Sequence, residues 1–439
     1  MPFLRSSQLM LSFLFVVSLG ACTIAPGNES KRNSSAIPVK LVEREGHWFI
    51  ERQGQPYFIK GAGGREHLTE LAQSGGNSLR TWSADNASAI LDQAYQAGLT
   101  VMLGLSMGKE RHGFDYNDTA AVAEQKKRIR ETVLKFKDHP ALLAWGIGNE
   151  LDLFYTNTGV WFAVEDIAAM IKRLDPHHLV TTVVAGVDKE KADLIASRVP
   201  SIDYLSINIY GGLENLPATL DEIGYNGAYV VTEWGPTGHW EIDKTDWGVP
   251  IEQTSTEKAA IYRHRYQQGI AAAPDKALGS YAFLWGQKQE TTPTWYGVFN
   301  ESGQPTEVVD SLEYLWTGEW PATRAPSIVS FTLEGQKATD SVHLKPGGIV
   351  DVSVNFKPGS DSPVSLYWEV LPESTDIKSG GDPEERPQPA SLDVVTDNQH
   401  GSMQFLAPQI AGPYRLFVTI ENGSGKVANA NVPFMVAKN

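Results

Sequence analysis

Between residues 57 and 316 two hydrophobic rhythms take turns. Short apolar runs fall at 57–62, 78–81, 100–105, 142–146, 180–185, 204–209, 229–232 and 280–285. Stretches with apolar residues at three- and four-residue spacing fall at 66–73, 87–97, 120–137, 160–174, 189–197, 218–223, 256–273 and 308–314. A near-continuous apolar run suits a strand buried on both faces, and an amphipathic stretch suits the helix that covers it. Eight such units in series predict an α/β fold, a closed (β/α)8 barrel of the TIM type rather than an open sheet.

On either side the texture changes. Before the barrel, 47–50 and 57–59 flank Gly54-Gln55, which signals a hairpin. Beyond Ala325 helical periodicity stops. Alternating segments at 349–356, 364–370, 391–395, 402–406, 414–420 and 428–436 are separated by Gly, Pro and Asn clusters. They predict a C-terminal antiparallel β-sandwich similar to immunoglobulin or fibronectin type III modules. Residues 379–389, polar and proline-rich, read as a mobile loop. The expected organisation is 37–322 for the barrel with its hairpin and 323–439 for the sandwich.

The amino terminus reads as an address. Arg5 precedes an apolar run at 9–19 that leads into Leu19-Gly20-Ala21-Cys22. About 11 residues are too few to span a bilayer and fit the core of an export signal. The chain's single cysteine stands where that signal would be cut, so 1–22 resembles a bacterial lipoprotein signal with Cys22 as the lipidated residue. Thr at position 23, rather than Asp, points towards the outer membrane, and the polar stretch 23–36 reads as a tether. The expectation is an exported protein of the cell envelope, held to the membrane through its lipid alone. One cysteine leaves no disulfide.

Two runs carry the chemistry. Ala144-Trp145-Gly146-Ile147-Gly148-Asn149-Glu150 and Tyr229-Val230-Val231-Thr232-Glu233-Trp234-Gly235 each end an apolar strand in a carboxylate. A charge at the end of a buried strand is costly unless it faces a site. The carboxyl ends of parallel barrel strands are where active sites are built. Two glutamates there suit the acid and the nucleophile of a retaining glycosidase. Glu150, in apolar surroundings, is expected to be the protonated acid/base and Glu233 the ionised nucleophile. Arg80, ending the second strand, and Tyr210, ending the sixth, are candidates to point at Glu233. Asn149 is a candidate donor to a sugar hydroxyl. Trp285, ending the eighth strand, is either a subsite floor or core.

Composition narrows the partners. A net charge of -15 argues against nucleic acid or an anionic membrane surface. Twelve tryptophans supply flat faces for pyranose rings, although many must be core. The ten histidines are scattered and no H-E-x-x-H occurs, so no metal and no cofactor is expected. No protein partner is evident.

With these residues in view, the chain resembles the clan A glycoside hydrolases, nearest to the catalytic barrel of glycoside hydrolase family 2, the β-galactosidase and β-glucuronidase family. The resemblance covers roughly 57–316. It implies an acid/base at Glu150 beside Asn149, a nucleophile at Glu233, and supporting roles for Arg80, Tyr210 and Trp285. Family 2 enzymes usually carry a jelly roll and a sandwich before the barrel, whereas here the sandwich follows it.

Further residues extend the expected substrate-binding set: Trp82 and Trp234 beside the strand ends, and Trp240 in the long loop after the seventh strand. Arg111 and His112, after the third strand, either bind a second sugar or lie on a solvated loop. The reaction expected is hydrolysis of a β-linked oligo- or polysaccharide by double displacement. Three alternatives stand beside it. One is β-glucan transglycosylation with the same glutamates, and another a non-catalytic glycan-binding lipoprotein. The third is a serine esterase, because Gly104-Leu105-Ser106-Met107-Gly108 fits the G-x-S-x-G elbow. That elbow needs a helix immediately after Ser106, and 109–118 is a poor helix start.

Overall fold

A computed structural model describes residues 35–361, 363–398 and 400–438. The expected signal at 1–22, Cys22 and most of the 23–36 tether lie outside them. Strands β1 (Val39–Arg44), β2 (His47–Arg52) and β3 (Gln55–Tyr57) form an antiparallel sheet that turns at Gln53-Gly54. This sheet caps one end of the barrel. The Val39 amide donates to the His177 carbonyl and the Trp48 amide to that of Asp275, both just ahead of barrel strands. Val39 and Ile50 join Ile59, Leu143, Tyr204 and Val230 in a core that plugs that end.

The barrel strands are β4 (Ile59–Gly64), β5 (Ser78–Arg80), β6 (Thr100–Leu105), β7 (Leu142–Ile147), β8 (Leu179–Ala185), β9 (Tyr204–Asn208), β10 (Tyr229–Trp234) and β11 (Ala277–Trp285). They pair in parallel, in chain order, and β11 closes on β4. Every residue of β6, β7 and β10 is buried, which explains their unbroken hydrophobicity. The covering helices are α1 (Leu68–Gln73), α2 (Ala87–Gln96), α3 (Thr119–Phe136), α4 (Val160–Leu174), α5 (Lys189–Arg198), α6 (Leu216–Glu222), α7 (Ser255–Arg265) and α8 (Glu307–Thr317). Local chemistry starts several of them. Asp118 caps α3 by accepting from the Ala120 and Ala121 amides, and Thr254 with Glu257 forms a capping box on α7. The periodicity expected to run to 273 leaves α-helical geometry at Tyr266, where a π turn spans Tyr266–Ile270. Among the described residues no helix is long and apolar enough to cross a membrane.

Among the described residues the sandwich has eight strands, two more than the alternation signalled: β12 (Ser327–Leu333), β13 (Val342–Leu344), β14 (Ile349–Lys357), β15 (Val364–Pro372), β16 (Asp393–Asp397), β17 (Ser402–Leu406), β18 (Gly412–Asn422) and β19 (Val427–Val436). One sheet runs β12-β14-β17-β16 and the other β13-β19-β18-β15; all pairs are antiparallel except β13 with β19. It sits against α7, α8 and the loops after β10 and β11 through a buried polar network. Arg415 donates to the Pro250 carbonyl at 2.6 Å and to Asn431 at 2.9 Å, and pairs with Glu373 at 2.8 Å. Asn431 reaches Glu252 at 2.6 Å, and Glu252 also accepts from Lys258, Thr292 and Thr294. Charges buried this deeply hold only when paired. They fix the sandwich to the side of the barrel.

Candidate active site

The open end of the barrel is the carboxyl end of its strands, opposite the plug. Glu233 stands one residue before the end of β10, where register slips against both β9 and β11. Such irregularities re-aim side chains. Glu233 turns into the mouth, whereas Trp234 turns outward and packs on Tyr262 and Tyr266. Glu233 is 7% exposed and its carboxylate receives three donors. Arg80 Nη1 lies 2.8 Å and Trp82 Nε1 2.6 Å from Oε1, and the Tyr210 hydroxyl lies 3.2 Å from Oε2. Arg80, at the end of β5, is itself buried; it also donates to the Thr232 carbonyl at 2.7 Å and to Asn149 Oδ1 at 2.5 Å. Charge-assisted donors of this kind hold the carboxylate in one orientation.

Glu150 is reached differently. After β7 ends at Ile147, Gly148 turns the chain at φ +67°, and Glu150 itself sits at φ +50°. A left-handed backbone on a non-glycine residue costs on the order of 1–3 kcal/mol and clusters at functional positions. The Glu150 amide is anchored to the Val183 carbonyl at 3.0 Å, and Asn208 Nδ2 donates to its Oε1, also at 3.0 Å. Burial, and next the charge of Glu233, raise its pKa to about 7, against the pull of Asn208. A carboxyl group that stays protonated near neutrality is suited to be a general acid.

Asn208 ties these parts together. Its Nδ2 also reaches Asn149 Oδ1 at 3.2 Å, and its Oδ1 accepts from Thr232. Because Asn149 Oδ1 accepts from both Arg80 and Asn208, its amide nitrogen is left for the cavity. Sequence reasoning passed over Asn208, although a polar residue ending the buried run Tyr204-Leu205-Ser206-Ile207-Asn208 was a signal.

A cavity of about 930 Å³ opens over both glutamates. Trp82, Tyr210 and Phe283 line it, and Phe154 and Trp240, 69% and 55% exposed, stand at its rim. Lys109, Lys288 and Glu290 also line it. Glu290 pairs with Lys288 at 2.7 Å, and burial raises its pKa. Among the described residues the Lys109 ammonium has no hydrogen bond or ion pair; burial, then Arg111, lower its pKa.

Four expected substrate contacts lie elsewhere. Trp285 is 1% exposed, donates to the His67 carbonyl and packs on Phe299 and Trp316 in the helix layer. Phe283, two residues earlier on the same strand, takes the cavity-facing position instead. Trp234 is core, turned outward onto Tyr262 and Tyr266. Arg111 and His112 are not lining residues: both bind Asp382 of the sandwich, at 3.2 and 2.7 Å. Ser106 does line the cavity, but only a short 3-10 turn at Glu110–His112 follows β6, so the helix a nucleophile elbow requires is absent there.

Comparison with known proteins agrees with this architecture. Residues 66–231 match the family model described as glycosyl hydrolases family 2, TIM barrel domain. The match includes Asn149 and Glu150 and stops two residues short of Glu233. The chain is 21% identical over 327 residues to a β-glucuronidase of Paenibacillus borealis, covering 65% of this chain and 53% of that protein. It is 22% identical over 306 residues to a β-glucuronidase of Felis catus, covering 66% of this chain and 44% of that one. The chain thus spans about half the length of the curated relatives it matches. In fold it is similar to a β-glucuronidase of Bacteroides uniformis, with a TM-score of 0.53 at 14% identity over 91% of this chain and 48% of the other.

Proposed function

We propose that this chain, whose barrel is of the clan A glycoside hydrolase type nearest family 2, is a retaining β-glycosidase acting on a β-linked oligo- or polysaccharide. The observation that carries the reading is the contrast between two carboxyl groups in one cavity. Glu150 is half-buried and held towards its protonated form, while Glu233 is gripped by Arg80, Trp82 and Tyr210.

In the first step a Glu233 oxygen attacks the anomeric carbon as the bond to the leaving oxygen breaks. Glu150 gives its proton to that oxygen, and a glycosyl ester on Glu233 results. In the second step Glu150, now ionised, takes a proton from water as the water oxygen attacks the same carbon and frees Glu233. The three donors keep Glu233 oriented throughout. The Asn149 amide suits a sugar hydroxyl on the glycone. Phe154 and Trp240 at the rim offer faces to a second sugar, so transfer to a sugar acceptor is the second reading, and product analysis separates the two.

A panel of aryl β-glycosides tests this, with a β-glucuronide included because two relatives bear that activity in their names. The expected result is turnover of at least one member, lost or cut steeply in Glu150→Gln and Glu233→Gln. Wild-type turnover that neither substitution lowers contradicts the assignment. Export and lipidation at Cys22 belong to the same proposal. Incorporation of a palmitate analogue in a bacterial host, lost in Cys22→Ser, tests them.

A further inference from the structure

The connection from β15 to β16, residues 373–392, belongs to the sandwich but does not stay with it. Its base is closed by backbone hydrogen bonds from Glu373 to Pro413 and from Ala390 to Val370. Between these ends it is braced internally: Asp376 accepts from the Glu385 amide at 2.8 Å, and Glu384 from the Lys378 amide at 2.9 Å. The tip then crosses the barrel mouth. Asp382 is bound by Arg111 and His112, on the loop after the third barrel strand. The Gly381 carbonyl accepts from Lys288 at 3.0 Å, and Glu384 from the Thr291 amide at 2.6 Å, both on the loop after the eighth.

Gly380 lies hard against the loop after the fourth strand. A Cβ there would fall 2.7 Å from both Leu153 and Arg111, and Gly380 and Gly381 take φ of +66° and +70°. That left-handed backbone favours glycine at both positions. The fourth and eighth strands stand on opposite sides of an eight-membered ring, so the tip spans the opening. Ser379 to Asp382 line the cavity with Glu150 and Glu233.

The strap also has a side. It rests on Leu153, three residues beyond Glu150 in the same loop. The acid protonates the leaving oxygen, so the cavity beyond it receives the leaving group. Lys109 faces the same quarter, within electrostatic reach of Glu150 and Asp382.

We propose that Ser379–Asp382, carried by the sandwich and latched through Asp382 to Arg111 and His112, forms the leaving-group subsite of the cavity and selects a hydroxyl-bearing sugar there. This rests on the glycosidase reading above. The sandwich is then part of the substrate site, and the barrel alone has an incomplete one. Contacts on offer to sugar hydroxyls are the Ser379 side chain, the Lys109 ammonium and the outer lone pairs of Asp382.

The test compares Asp382→Ala and Asp382→Asn with wild type on two probes: a dinitrophenyl β-glycoside and a β-linked disaccharide of the same glycone. The proposal expects the ratio of kcat/KM, disaccharide over aryl glycoside, to fall about 10-fold in Asp382→Ala, mainly through KM. Asp382→Asn, which keeps an acceptor for Arg111, retains most of the ratio. Hydrogen exchange of 379–385 is read in parallel and needs no substrate: protection drops in Asp382→Ala at unchanged barrel protection. An unchanged ratio overturns the subsite, and unchanged exchange overturns the latch. If the wild type turns over no glycoside, the failure lies with the glycosidase reading, and the exchange result still judges the latch.

Discussion

Replacing Glu150 by Gln removes an ionisation that the fold opposes. Burial first, then the charge of Glu233, lift the Glu150 pKa from 4.5 to about 7. Between those values the folded protein holds a proton that the unfolded chain has lost, so stability falls as pH rises through that window. The loss is complete just above pH 7. A gap of about 2.5 units, at about 1.36 kcal/mol each, amounts to about 3 kcal/mol. Glutamine keeps the side chain's shape and an oxygen for Asn208 Nδ2, and does not ionise. The variant should therefore exceed wild type in stability by about 3 kcal/mol at pH 8 and by under about 1 kcal/mol at pH 5.

A two-domain chain does not unfold in a single step, so the readout is apparent Tm at a fixed scan rate from pH 5 to 8. The expected pattern is a gap in favour of Glu150→Gln that widens with pH. The same ionisation governs turnover. Wild-type kcat/KM falls above about pH 7, and the variant loses about 10²–10⁴-fold on substrates with poor leaving groups. A gap that is flat with pH, or a variant less stable at pH 8, refutes the reasoning that burial makes Glu150 an acid.

Other expectations rest on single contacts. Trp82→Phe keeps a ring in the cavity wall but deletes the 2.6 Å donor to Glu233, and should cost about 10- to 100-fold in kcat/KM, read on an aryl glycoside. Arg80→Met leaves the buried Glu233 without its cation. Folding stability should drop by about 3–5 kcal/mol, read as a fall in apparent Tm against wild type. Ser106→Ala should leave glycoside turnover within about two-fold of wild type and confer no change in sensitivity to a serine-reactive phosphonate, against the elbow reading of Gly104–Gly108.

How far the site was legible depends on the reach of each signal. Strand ends are local, so Glu150, Glu233 and Arg80 could be placed at the mouth from apolar runs alone. The direction of a side chain at a strand end is less local. Trp234 and Trp285 occupy strand ends as Glu233 does, yet register slips along β10 and β11 turn both into the helix layer. Phe283 was hidden for the same reason. The loop at 379–389 read as mobile because it is polar and rich in Gly and Pro. What orders it is a carboxylate at 382 meeting the side chains of Arg111 and His112, a pairing across some 270 residues that no local pattern reports. Two strands of the sandwich also escaped notice. β13 is three residues long, and β12 keeps Val329 65% exposed amid its alternation.

The central claim is that Glu233 forms a covalent bond to the sugar while Glu150 supplies and retrieves a proton. The most direct measurement is mass spectrometry of the enzyme after incubation with an activated 2-deoxy-2-fluoro β-glycoside matched to whichever aryl glycoside is turned over. One glycosyl unit per chain is expected, mapped to the peptide holding Glu233 and absent from Glu233→Gln. A label on another residue, or inverted products with no label from an active enzyme, contradicts it.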